Sequence, residues 1–199
     1  MSEIWASVDL SGKEACFAAG YFPERRIAAR TSFQMRGRDS SGLLPRLEEF
    51  LSTEKLSLGD VRRWTAGTGP GNYTGLRIVA ALVSGLSYGR GDISCRGMPS
   101  AFALASAMKP AEGTRIAVAY PLEAEKFFSF CVATDNGCFF KDDSLTGVFD
   151  AGDVSAKFAG VRIAAMRRDA GLLPDGVAED AELFGEFPVE GLLFANPGS

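Results

Sequence analysis

The chain has no histidine. That single absence removes imidazole acid–base catalysis, Ser–His and Cys–His nucleophile pairs, and His-ligated zinc or iron. Any chemistry would have to run on carboxylates, Lys, Tyr, Ser or Cys. Cysteine is scarce as well. Cys16, Cys95, Cys131 and Cys138 show no C-x-x-C spacing, so the reading is reduced core thiols in a cytoplasmic protein. Met1–Ser7 carries Glu3 and lacks the apolar core of a signal peptide. No apolar run suits a bilayer span either, since the stretch over 76–88 is too short and too rich in Gly and Ser. Clustered positive charge is also missing. Arg25-Arg26, Arg62-Arg63 and Arg167-Arg168 are only pairs in a chain of net charge −4, which argues against gripping nucleic acid unaided.

What is present is a globular composition, 46% apolar over 199 residues, enough for one large or two small domains. Its most informative stretch runs Gly67-Thr-Gly69-Pro70-Gly71-Asn72-Tyr73-Thr74-Gly75-Leu76-Arg77. Val61–Ala66 before it reads as a strand, and the apolar run after it as a helix. Gly67, Gly69 and Gly71 allow positive φ and close backbone approach, and Pro70 fixes one φ. Thr74 is the expected N-cap. A helix opening with exposed N–H groups can hold an anion. However, no Lys-Ser or Lys-Thr follows, as a Walker A loop needs, and the glycines miss the G-x-G-x-x-G register. Tight turn and anion site both stay open.

The helix after the loop places Leu76, Ile78, Val79, Leu82, Val83, Leu86 and Tyr88 on several faces, with almost no charge beyond Arg77. Such a helix must be covered on more than one side. Ala81, Gly85 and Gly89 recur every four residues, as do Ala80 and Ser84, leaving flat strips for close approach of another backbone. The second partner is either another helix of this chain or another protein.

Taken in order, Ile4–Leu10, Ala15–Tyr21 and Ile27–Met35 read as an antiparallel meander. Asp9 at its first turn, with Ser11, is a candidate weak nucleotide or anion contact or simply a hairpin cap. Arg36–Gly42 reads as a loop, with Asp39, Ser40 and Ser41 offering N-caps. Leu43, Leu44, Leu47, Phe50 and Leu51 form an amphipathic helical stripe. After the central helix come a short strand over Ile93–Arg96 and a helix from Ser100 to about Met108. Strands over Arg115–Tyr120, Phe127–Thr134 and Cys138–Lys141 follow, the last two joined by an Asn-Gly hairpin turn. Asp153–Phe158 reads as a short helix, Val161–Met166 as a strand, Ala178–Phe184 as helical, and Pro188 onward as an extended tail. This order points to an α/β protein with a ribonuclease H-like mixed sheet, flanking helices and two lobes, residues 1–112 and a reduced 113–199.

Gly69-Pro-Gly-Asn-Tyr-Thr-Gly-Leu-Arg77, with Ala80, Gly85-Leu-Ser-Tyr88 and Gly97-Met-Pro-Ser100 downstream, resembles the TsaB (YeaZ) family. The resemblance is strong over 65–106, moderate over 4–64 and weak after 115. It implies a non-catalytic, actin-like scaffold for threonylcarbamoyl modification of adenosine in tRNA. The implied partners are a TsaD-like catalytic subunit and a TsaE-like ATPase, with tRNA met only through the complex. No cofactor or metal is implied for this chain alone, ATP and Mg belonging to the assembled complex, and self-association to a homodimer is implied when the partner is absent. The resemblance places the partner contact on the helices at 43–51 and 75–89. The residues expected to carry it are Leu43, Leu47, Gly75, Leu76, Val79, Ala80, Val83 and Ser87, or a neighbouring set on the second helix a third of a turn round. The segment Tyr120-Pro-Leu-Glu-Ala-Glu125 keeps an acidic residue and loses the Arg usual in the family.

Three rivals follow from the residues. An actin-like ATPase or phosphotransferase would set Asp9 and the 67–75 loop around a nucleotide. A protease would need a Ser–Lys pair or a carboxylate dyad in place of histidine. A self-contained tRNA binder would need an aromatic–basic stripe that the sequence does not display.

Overall fold

In a computed structural model the described residues are 2–35, 39–123 and 125–198. The chain divides into two compact units. The first holds the chain up to Ser100 together with Leu192–Phe194, and the second holds Ala101–Gly191 with the residues after Phe194.

The first unit begins with β1 (Glu3–Asp9), β2 (Glu14–Phe22) and β3 (Arg26–Gln34), the expected meander. Then follow α1 (Leu43–Thr53), β4 (Val61–Gly67), α2 (Tyr73–Ser87) and β5 (Ser94–Met98). The sheet order is β3-β2-β1-β4-β5. β1 is antiparallel to β2 and parallel to β4, which is parallel to β5. Alternation along β1 sends Ile4, Ala6 and Val8 to one face. There they meet Leu43, Leu47, Phe50 and Leu51 of α1 and Val79 and Val83 of α2 in one buried core. Both helices therefore cover the same side of this sheet.

The second unit carries α3 (Ala101–Ala107), β6 (Arg115–Pro121), β7 (Lys126–Asp135), β8 (Cys138–Lys141), β9 (Gly147–Asp150), α4 (Val154–Lys157), β10 (Arg162–Met166), α5 (Asp175–Asp180) and β11 (Ala181–Phe184). Its sheet runs β11-β10-β6-β7-β8, with β9 also on β7. Phe127, Cys131, Val154, Phe158 and Ile163 share the core on one face, while Phe102 of α3 packs edge-on to Phe130 on the other. The architecture is actin-like, a mixed sheet with flanking helices in each unit.

Several local expectations change. The loop read over 36–42 is a 3-10 turn at Asp39–Gly42, and 36–38 lie outside the described residues. The N-cap of α1 is Gly42, without a side-chain cap bond. Helix over Ala178–Phe184 is corrected to the end of α5 and then β11, because Ala181–Phe184 pairs in parallel with Ile163–Met166. The β9 strand lacked a sequence signal. α3 packs with the second unit, whereas the boundary at 112/113 would put it in the first. The tail is not extended throughout: α6 (Gly191–Phe194) forms, and its carbonyls are held by arginines. Arg96 Nη2 donates to the Leu193 oxygen at 2.9 Å and Arg25 Nη2 to that of Phe194 at 3.0 Å. Burial, then the nearby Arg63 charge, lowers the Arg96 pKa to about 10. None of the four cysteines is in a disulfide, and Cys95 is exposed rather than in the core. Burial, then the Asp142 charge, pushes the Cys131 thiol up to about 11. Among the described residues no helix is long and apolar enough to cross a membrane.

Candidate docking helix and its glycine turn

β4 ends at Gly67, where the missing side chain is a steric requirement. A β-carbon there would run into the Asp9 carboxylate. Positive φ is taken up by the two glycines that follow, Gly69 at 88° and Gly71 at 155°, which lets the chain reverse at low cost. A β-carbon on Gly71 would strike the Ser11 carbonyl, and one on Gly75 the Leu10 carbonyl. The signature loop is thus laid directly on the first hairpin turn. Asn72, not Thr74, caps α2, its Oδ1 accepting from the Thr74 amide at 3.1 Å. The cap moves because the helix starts at Tyr73, one residue before the expected cap.

Asp9 and Ser11 were candidates for a nucleotide contact. In the structure Asp9 is 2% exposed. One carboxylate oxygen accepts from the Ser11 amide at 2.7 Å and the Ser11 hydroxyl at 2.5 Å, and the other accepts from the Ser100 hydroxyl. The carboxylate is turned inward onto Ser11 and Ser100. This donor set does not fit a nucleotide or its magnesium ion. Ser100 was read as the start of a helix and as the end of the Gly97–Ser100 motif, and nothing local in the sequence shows that it reaches a residue 91 positions away.

From Tyr73 to Ser87 the helix runs 15 residues, about 22 Å. Val79 is 1% and Val83 5% exposed, and Gly75 is buried too. Leu43 and Leu47 on α1 are equally inside the core. These five of the expected contact residues face this unit's own sheet. Leu76 and Ser87 are half-buried, and the Ser87 hydroxyl folds back on the Val83 and Ser84 carbonyls at 3.0 and 3.1 Å. Of the expected set only Ala80 is fully presented, in company with Ala81, Ser84 and Gly85. Positions 73, 77, 80, 81, 84 and 88 fall on one side at 3.6 residues per turn. The small residues thus form a flat floor between Tyr73, 70% exposed, and Tyr88, 89% exposed. Arg77 lies over the Tyr73 ring at 5.1 Å and is the only charged residue of the helix. Asn72, Ala81, Gly85 and Tyr88 were not in the expected contact or loop sets. The four-residue spacing of the small residues was the signal available.

Two solved structures share this architecture over nearly the whole chain. YeaZ from Pseudomonas aeruginosa superposes with a TM-score of 0.71 at 20% identity, covering 96% of this chain and 89% of that one. The fold is that of YeaZ. A second structure, described as an uncharacterized protein with similarity to peptidase YeaZ, also from Pseudomonas aeruginosa, gives 0.70 at 19% identity with 99% of each chain covered. The ethanolamine utilization protein EutJ from Carboxydothermus hydrogenoformans gives 0.51 at 10% identity, over 95% of this chain and 88% of that one. No family model and no curated protein matches by sequence. The YeaZ fold agrees with the resemblance read from the loop, and at these identities it speaks to architecture.

Proposed function

We propose that this chain is a non-catalytic docking subunit that binds a TsaD-like catalytic subunit through the exposed side of α2, in the threonylcarbamoyl modification of tRNA adenosine. The observation that carries the reading is the unequal covering of that helix. Val79 and Val83 are sealed into the unit's own core, while Ala80, Ala81, Ser84 and Gly85 stay bare between two exposed tyrosines. A floor of small residues lets a second helix approach closely, and exposed aromatic residues at both ends supply the area that anchors an interface. With Arg77 as its only charge, this surface suits an apolar partner helix carrying a carboxylate opposite residue 77.

In this reading the TsaE-like ATPase, ATP with Mg, and tRNA join only in the assembled complex, and a homodimer through the same flank forms when the partner is absent. The setting is cytoplasmic. The nucleotide-binding alternative is weakened by the inward-turned Asp9 carboxylate.

Co-expression with the TsaD-like subunit of the same organism, followed by size-exclusion chromatography, tests the proposal. Wild type is expected to co-elute, and Ala80→Arg, which places a charge on the bare floor, is expected to elute alone with unchanged thermal stability. Co-elution of Ala80→Arg would remove α2 from the interface, and failure of the wild type to co-elute would remove the partner.

A further inference from the structure

Around Asp9 the hydrogen bonds run outward in two branches. In the first, the Ser100 hydroxyl donates to one Asp9 oxygen and accepts from the Gly69 amide at 3.0 Å. The Ser100 amide also donates to the Gly69 carbonyl at 2.8 Å. In the second, the other Asp9 oxygen holds the Ser11 amide and hydroxyl, and the Ser11 carbonyl accepts from the Asn72 amide at 2.7 Å. One carboxylate therefore grips both ends of the Gly69–Asn72 turn. Asn72 is the residue that starts α2: its side chain caps Thr74, and its carbonyl takes the Leu76 amide at 3.0 Å.

We infer that Asp9 and Ser100 are a positioning pair that fixes where α2 begins and so how its exposed flank is presented. A carboxyl group has two oxygens that can each hold a separate segment, which suits Asp9 to clamping a turn rich in glycine. The crowding at Gly67, Gly71 and Gly75 is consistent with this. Side chains there would push the loop off the Asp9–Ser11 segment and open both branches. The consequence for docking rests on the proposed function. The clamp itself does not.

The test uses the full chain and the variants Ser100→Ala and Asp9→Asn, with Val8→Ala as a control. Val8 is buried in the same strand, and its truncation lowers stability without touching the turn. Amide hydrogen exchange is followed at Gly69, Asn72 and Leu76 in the absence of any partner. Ser100→Ala is expected to speed exchange at these amides about tenfold or more beyond its effect on the slowest core amides. Asp9→Asn, which keeps an acceptor for Ser11 and a donor for Ser100, should recover part of that protection, and Val8→Ala should show no excess at the turn. Equal protection in Ser100→Ala and wild type, or the same excess in Val8→Ala, overturns the pair. In the co-elution assay Ser100→Ala should lose partner more than Val8→Ala does, and equal retention counts against the docking consequence. If wild type binds no partner, the functional proposal fails and the exchange measurement alone decides the clamp.

Discussion

Gly75 sits against the carbonyl oxygen of Leu10 with no space for a β-carbon. Ten residues further along the same helix, Gly85 has nothing within 4 Å of that position. The two glycines should therefore respond in opposite ways to the same substitution. Gly75→Ala is expected to destabilise by about 1–3 kcal/mol through forced backbone movement. Gly85→Ala is expected to stabilise by about 0.5–1 kcal/mol, because alanine is the better helix former at an open site. Urea denaturation of both variants checks this, and the same sign for both would refute the packing described.

Val83→Arg and Ala80→Arg separate folding from docking. Val83 lies in the core, so a guanidinium there must be buried unpaired or must break the packing. A loss of about 3 kcal/mol or more is expected, read as a large fall in the denaturation midpoint. Ala80→Arg should leave that midpoint unmoved.

The cap of α2 can be tested at Asn72 and Thr74 together. Asn72→Ala removes the acceptor of the Thr74 amide and should cost about 1 kcal/mol. Thr74→Ala removes the hydroxyl but leaves that bond in place, because the donor is the Thr74 backbone amide, and should stay within about 0.5 kcal/mol of wild type. The reverse ranking in thermal melts would return the cap to Thr74.

Asp142 gives the second unit a pH dependence of known sign. Burial works to raise its pKa, but bonds from Ser144 and Arg115 outweigh it and hold the carboxyl below 3.8. Ser144 donates from its hydroxyl at 2.6 Å and its amide at 3.0 Å, and Arg115 Nε donates at 2.7 Å. A depressed folded-state pKa contributes stability above the unfolded value, lost as the pH falls through the folded one. The stability gap between wild type and Asp142→Asn should therefore be widest above the ordinary carboxylate range and close as the pH falls below it. A gap that widens on acidification would show the sign to be wrong.

Much of the fold was legible in residues whose meaning is local. Short runs between tight turns marked the strands of the meander, the stripe from Leu43 to Leu51 marked α1, and the Gly-Pro-Gly turn marked the start of α2. These signals survive because strand and helix periods impose themselves on any segment that buries one face. Ala181–Phe184 was misread because four residues hold too little pattern to tell a strand from a helix. Only its partner β10 settles the matter.

The sequence by itself determined that a stiff turn launches a largely apolar helix with small-residue strips, and that histidine chemistry is excluded. Tertiary structure alone decided which side of that helix remains bare and what Asp9 does. Val79 and Ala80 are equally apolar neighbours on paper, and their difference arises from which one the β1 side chains reach. Asp9 meets Ser100 because the fold brings the two together across a separation in the chain that no local pattern encodes.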